Sequence, residues 1–262
     1  DVSAMATVGA LVLAATCVAP SPGSDDKRLS GARLRLVAVA QLTAAVWAVT
    51  SGALVALVYS DASGAGLGSS GFLEQVTSFG TSFELGRYAL WGAGAAALVA
   101  LSGALSSRPS GLGLTTVLAL AGLWPIALTG HAAGTLDHDE AVNLQMFHLL
   151  GIAVWAGGLL ALVLVRRHLG QELGSTVGRY STLAGWCLVV VTASGLAGAW
   201  LRLPAWDSVV SSYGLVIGVK VVAVVALAGA GWWHRRRTLA SLDGRASGTF
   251  WRLVGVELVV LF

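Results

Sequence analysis

Charge is what this sequence has least of. Asp, Glu, Lys and Arg make up 11% of the 262 residues against 56% hydrophobic ones, and the mean hydropathy is +0.78. A chain so poor in charge cannot cover a water-facing surface, which excludes the soluble globular classes and places it in a bilayer. Cysteine is nearly absent. Cys17 and Cys187 both fall within apolar segments, so a disulfide framework and a C-x-x-C metal pair are excluded and two small buried hydrophobes remain. A concentrated basic face is missing as well: the net charge of +3 comes from Lys and Arg spread over four loops, which removes nucleic acid as a partner. The chain starts at Asp1 with no initiator Met and no charged signal-peptide segment, and its last apolar run stops at L-V-V-L-F without a polar flank. We therefore expect a piece of a longer polypeptide, truncated in the last helix.

What is present is a succession of apolar runs near the roughly 20 residues that cross a hydrocarbon core. Eight are expected, at 3–19, 34–59, 86–106, 112–130, 143–165, 180–201, 213–234 and 249–262. Backbone groups in lipid must satisfy one another, so each run should be a helix; the fold class is an all-α polytopic membrane protein with about eight transmembrane helices. Lys and Arg gather at alternate loops, around Lys27–Arg35, Arg108, Arg166–Arg179 and Arg235–Arg252, and these loops are expected on the cytoplasmic side of a bacterial plasma membrane. The opposite loops carry Asp61, Glu74, Glu84, Asp137, Asp139, Glu140 and Asp207, which puts the stretch from His131 to His148 on the outer face. F-L-E-Q-V-T-S-F, from Phe72, has the spacing of a short amphipathic helix on that surface.

Two halves can be laid over one another. V-T-S-G-A-L-V-A-L at Val49–Leu57 pairs with T-A-S-G-L-A-G-A-W at Thr192–Trp200, and the preceding helices open with G-A-L-V-L-A-A from Gly9 and G-I-A-V-W-A-G from Gly151. Four helices per half is an even number, so the halves, 1–130 and 131–262, would be two parallel repeats. The small-residue pairs Ser194-x-x-x-Gly198 and Gly214-x-x-x-Gly218 read as helix packing.

The stretch with most chemistry is H-A-A-G-T-L-D-H-D-E-A-V-N-L-Q-M-F-H, which holds His131, His138 and His148, three of the five histidines. Gln145, His148, Ile152 and Trp155 form one stripe on the fifth helix; Trp124, Ala127, Leu128 and His131 form another on the fourth. In an antiparallel hairpin the two imidazoles would face each other within about two turns of the outer surface. Imidazole suits copper, zinc, iron and nickel, and a thioether such as Met146 would favour Cu(I), although Met146 points away from His148 on a helix. The alternative for both histidines is an interfacial ring bonded to a carbonyl. The D-H-D-E acids are either a collecting mouth for cations or a solvated first turn of a helix. Lys220 lies inside the seventh helix with Glu257 as its natural partner in the eighth, and a structural charge pair is the plainer reading than an ion relay.

F-H-L-L-G-I-A-V-W-A-G-G-L, then Ser194–Gly195, then Y-G-L-V-I-G-V-K at Tyr213–Lys220, W-H-R-R-R, and R-L-V-G-V-E at Arg252–Glu257 together resemble the CopD copper-resistance membrane domain, from about His131 to the end. That resemblance implies copper ion acquisition or transport at the plasma membrane by a permease or metal-delivery protein, not an enzyme, with His131 and His148 as metal ligands and His138 beside them. It also implies a periplasmic copper chaperone as partner, or a CtaG-like cytochrome oxidase assembly domain in the same longer chain. With only Met5 and Met146, the chain departs from Met-rich copper pathways. Two other classes stay open: a b-type haem membrane protein, since facing histidines also suit haem iron, and a structural subunit of a larger membrane complex.

Overall fold

The computed structural model describes residues 2–18, 30–106, 108–128, 138–202 and 212–237, together with Gly255. Every element among them is helical: α1 (Val2–Val12), continuing as a π-helical turn over Leu13–Cys17, α2 (Gly31–Ser63), α3 (Phe72–Ser82), α4 (Glu84–Leu101), α5 (Gly103–Ser106), α6 (Pro109–Ala121), α7 (Trp124–Leu128), α8 (His138–Val165), α9 (Leu173–Arg202) and α10 (Ser212–Arg237). The chain is an all-α polytopic membrane protein. Among the described residues four helical stretches are long and apolar enough to cross a bilayer, Gly31–Ser63, Pro109–Leu128, Glu140–His168 and Gly170–Leu201, with Val2–Cys17 and Gly214–Gly229 as shorter apolar helices. The eighth expected run, 249–262, lies outside the described residues apart from Gly255.

The first helix is the hub. From Ala4 to Ala14 nearly every side chain of α1 and its π turn is buried, consistent with a segment that is apolar all round. α2, α6 and α8 surround it, α9 meets its π turn, and α4 packs behind α2 and beside α6 and α7. α10 touches α9 at the edge of the bundle, leaving Leu215, Val219, Val222 and Val225 exposed. The hub also buries polarity: Thr7, fully enclosed, donates to the Ser3 carbonyl at 2.8 Å and shares a hydrogen bond of 2.9 Å with Thr43 on α2. Inside a bilayer such a pair ties two helices, because neither hydroxyl has water as an alternative.

Glycine sets the distance between α1 and α8. A Cβ built on Gly9 would lie 1.9 Å from the Gly157 carbonyl carbon, and one on Gly157 would lie 1.8 Å from the Met5 carbonyl oxygen. The helices therefore meet backbone to backbone, which only small residues permit. At the other end of α1 the exposed carbonyls are taken by cations. Arg33 donates to the Val18 carbonyl through Nη2 at 2.6 Å and Nε at 3.1 Å, and Arg179 Nη1 lies 3.5 Å from the Cys17 carbonyl. Basic residues placed by the positive-inside pattern thus also close the negative end of a helix.

Several sequence expectations change here: the run at 86–106 is divided between α4 and α5, and the sixth helix starts at Leu173 where 180 was expected. The run at 112–130 is not one helix: α6 ends at Ala121 and α7 restarts at Trp124, where Pro125 offers no N–H and its ring crowds the preceding turn. The described members of the fourth-helix stripe, Trp124, Ala127 and Leu128, all lie on α7, with Trp124 exposed and Ala127 buried. The fifth helix starts at His138, earlier than expected, so Asp139 and Glu140 stand in its first turn, where acids favour the positive end of the dipole, and Glu140 is exposed. The expected surface helix is present as α3, lying on α2 and α4.

Gly9→Val or Gly157→Val is expected to cost about 3 kcal/mol or more, the upper end of overpacking penalties, because backbone cannot move aside. Gly94→Ala, at a position where a Cβ meets nothing, is the neutral control; survival of the monodisperse peak after heating in detergent measures both. Arg33→Leu is expected to lose about 1–2 kcal/mol by leaving the Val18 carbonyl without its cation, with Arg33→Lys intermediate in the same assay.

Candidate metal centre between α8, α9 and α10

The candidate site is organised by the two faces of α8. At about 100° per residue, Met146 and Gly157 share one face, and His148 and Trp155 share the opposite one. The first face meets α1, and Met146 is buried in the main core. The second meets α9: Trp155 packs with Cys187 and Leu227, and its backbone carbonyl accepts a hydrogen bond from the Tyr180 hydroxyl. Beside His148, Gly151 lets α9 close in, since a Cβ there would lie 2.6 Å from Val191 Cγ2.

His148 is ten residues from the start of α8, about 15 Å along the axis. Its Nδ1 lies 3.1 Å from the Val191 carbonyl oxygen and 3.2 Å from Ser194 Oγ, both on α9. The ring is thus bonded to the sixth span. α7 meets α8 elsewhere, through Leu128 against Ala141 and Val142. The carbonyl-bonded histidine weighed as the plain alternative is what the geometry contains, yet it leaves Nε2 without a protein partner among the described residues.

That ring lines an open groove of about 330 Å³ between α8, α9 and α10. Its polar side chains are Gln145 and His148 from α8, Thr192 and Ser194 from α9, and Lys220 from α10; the rest is apolar. Sequence reading had joined Gln145 to His148 and had set Lys220 apart as a charge needing a partner, so their meeting in one groove is new. Ser194 was read as packing, and Val191 and Thr192 were not singled out. The signal for Ser194 was the S-G dipeptide within the quoted motif.

Of the other expected site residues, His131 and Glu257 lie outside the described residues, so the facing of His131 and His148 and the Lys220–Glu257 pair lie outside them too. His138 is the first residue of α8. Trp155 flanks the site one face-repeat below His148, and Met146 turns away from it. Among the described residues no three His, Cys, Asp or Glu side chains come together. Cys17 and Cys187 are free and buried, 2% and 7% exposed. A single neutral imidazole can contribute one ligand to a soft or borderline cation, and further donors must come from beyond this set.

This is a helical membrane protein carrying a half-buried histidine beside a polar groove between its spans. Residues 1–137, more than half of the chain, match the family model described as copper resistance protein D-like, N-terminal domain, and residues 174–262 match the one described as copper resistance protein D. The chain belongs to the copper resistance protein D family. The resemblance noted from about His131 onward is confirmed over 174–262, which holds the fragments from Ser194 to Glu257, while His148 lies between the two matches; the first half, read only as a diverged repeat, is familial as well. The chain is also similar to the copper transport protein CutJ of Bacillus subtilis (strain 168), 32% identical over 100 residues, which cover 36% of this chain and 18% of that protein. No solved structure matches it.

Because Cys17 is buried in the main core and Cys187 is packed with Trp155 and Leu227, a maleimide is expected to label both at least about 10-fold more slowly in the folded protein than after denaturation. Mass spectrometry of the labelled protein over time checks this. Fast labelling of either thiol would mean that the interior opens.

Proposed function

We propose that this chain is membrane-embedded machinery of a copper transport protein in a bacterial plasma membrane, a permease or metal-delivery protein and not an enzyme. Copper ion is its cargo, taken at the outer face and passed inward. His148 is proposed as one ligand through Nε2, with His131 as the second and His138 as a collecting group near the mouth. Trp155 and Gln145 support the ring, Met146 has no part in the ligand set, and Lys220 with Glu257 is proposed as a charge pair closing the groove. The division into halves at 1–130 and 131–262 goes with this reading, each half being a four-helix unit.

The single observation that carries the proposal is the state of His148 in a chain of the copper resistance protein D family. An imidazole anchored through Nδ1 to a carbonyl keeps its other nitrogen for a metal, the usual arrangement of a ligating histidine. The relative that matches part of this chain is named for copper transport, and its match is short in both chains, so the support it lends is to the class of cargo. Delivery to a cytochrome oxidase assembly domain, or receipt from a periplasmic chaperone, is the finer form of the same proposal and rests on the family resemblance.

The test is the double variant His131→Ala and His148→Ala in cells producing the protein at unchanged membrane level. Cell copper content is expected to fall to that of cells lacking the protein, and oxidase maturation is expected to fall with it if delivery is the purpose. Unchanged copper content would overturn the assignment of these histidines.

A further inference from the structure

We infer that Ser194 and Gly195 are positioning residues for His148: with the Val191 carbonyl they hold its imidazole as the Nδ1–H tautomer and so fix Nε2 as the metal-accepting nitrogen. This rests on the proposal that His148 is a copper ligand. The tautomer follows from what faces Nδ1. The Val191 oxygen, 3.1 Å away, is a carbonyl and can only accept. The Ser194 hydroxyl, 3.2 Å away, has a better use for its own proton, since its Oγ lies 2.7 Å from the Val190 carbonyl oxygen; it donates there and offers a lone pair to the ring. Two acceptors around Nδ1 require the proton on that nitrogen. The other tautomer would set the lone pair of Nδ1 against those of Val191 and Ser194, with Ser194 itself 7% exposed. A neutral imidazole protonated at Nδ1 carries its lone pair on Nε2, the form a metal requires.

Gly195 decides how close the ring comes. A Cβ there would lie 3.3 Å from Cε1 and 3.6 Å from Nδ1 of His148, so an alanine would push the ring by a few tenths of an ångström at the edge that carries the hydrogen bond. The same dipeptide in α2 provides an internal contrast. At Ser51–Gly52 a Cβ on the glycine meets nothing within 4 Å. Small residues at this place in α9 are therefore more than a packing stripe: one supplies an acceptor and its neighbour clears room for the imidazole.

The experiment uses the full chain purified in detergent. Nitrogen chemical shifts of selectively labelled histidine, at a pH where the ring is neutral, report the tautomer of His148, assigned by comparison with His148→Gln; Cu(I) affinity is read by competition with a chelator of known strength. Ser194→Ala and Gly195→Ala are expected to mix the two tautomers and weaken Cu(I) binding by roughly 10-fold or more, the usual cost of losing a group that orients a metal ligand. Ser194→Thr, which keeps the hydroxyl, should restore both readouts, and Gly52→Ala should change neither. Wild-type tautomer in both variants, or altered tautomer with unchanged affinity, would overturn the positioning role. If His148→Gln binds Cu(I) as tightly as the wild type, it is the ligand assignment that fails, while the nitrogen shifts of Ser194→Ala still decide whether the shelf holds the ring.

Discussion

The contact between Gly9 on α1 and Gly157 on α8 constrains everything around it. Two backbones that meet with no side chain between them cannot slide or rotate without collision, so one face of α8 is committed to the hub helix. His148 stands half a turn around α8 from Gly157, and the commitment of one face to α1 turns the other face, with Trp155, toward α9. The depth and direction of the histidine are thus consequences of a glycine contact on the opposite side of the same helix. The hydrogen bond from the Tyr180 hydroxyl to the Trp155 carbonyl keeps α9 against that second face, close to where the ring sits.

Polar groups within the bundle are arranged by the scarcity of water. Thr7 and Thr43 satisfy each other, Arg33 satisfies a helix end, and His148 Nδ1 lies within hydrogen-bond distance of a carbonyl and a hydroxyl. Among the described residues Nε2 of His148 has no such partner. In a low-dielectric interior an exposed lone pair of this kind is costly to keep empty, which is why ionisable and polar groups inside spans mark function so often. Lys220 brings an ammonium to the same groove, and a charge inside a span calls for a compensating one.

Much of this was legible in the residues. Apolar run length gave the helices to within a few residues for most spans, and helical spacing placed His148 with Trp155 and turned Met146 away from them. The ordered motif fragments carried the family resemblance. Other features were hidden for physical reasons. The break before Trp124 depended on how the chain around Pro125 resolved its lost hydrogen bond, and hydropathy carries no term for that. The early start of α8 at His138 came from acids that suit a helix N-terminus but look, by composition, like loop. Ser194–Gly195 was visible as a dipeptide, yet its partner lies 46 residues away from Ser194 in the chain and on another helix.

By itself the sequence determined the solvent, the helical class, the placement of basic residues and the family, because each depends on composition or on periodicity within one segment. Which helix His148 addresses, which ring nitrogen faces α9 and which side chains share its groove were decided only by tertiary structure. These depend on how closely two helices approach, and that distance is set by the absence of side chains at a few glycines whose opposite numbers no local pattern reveals.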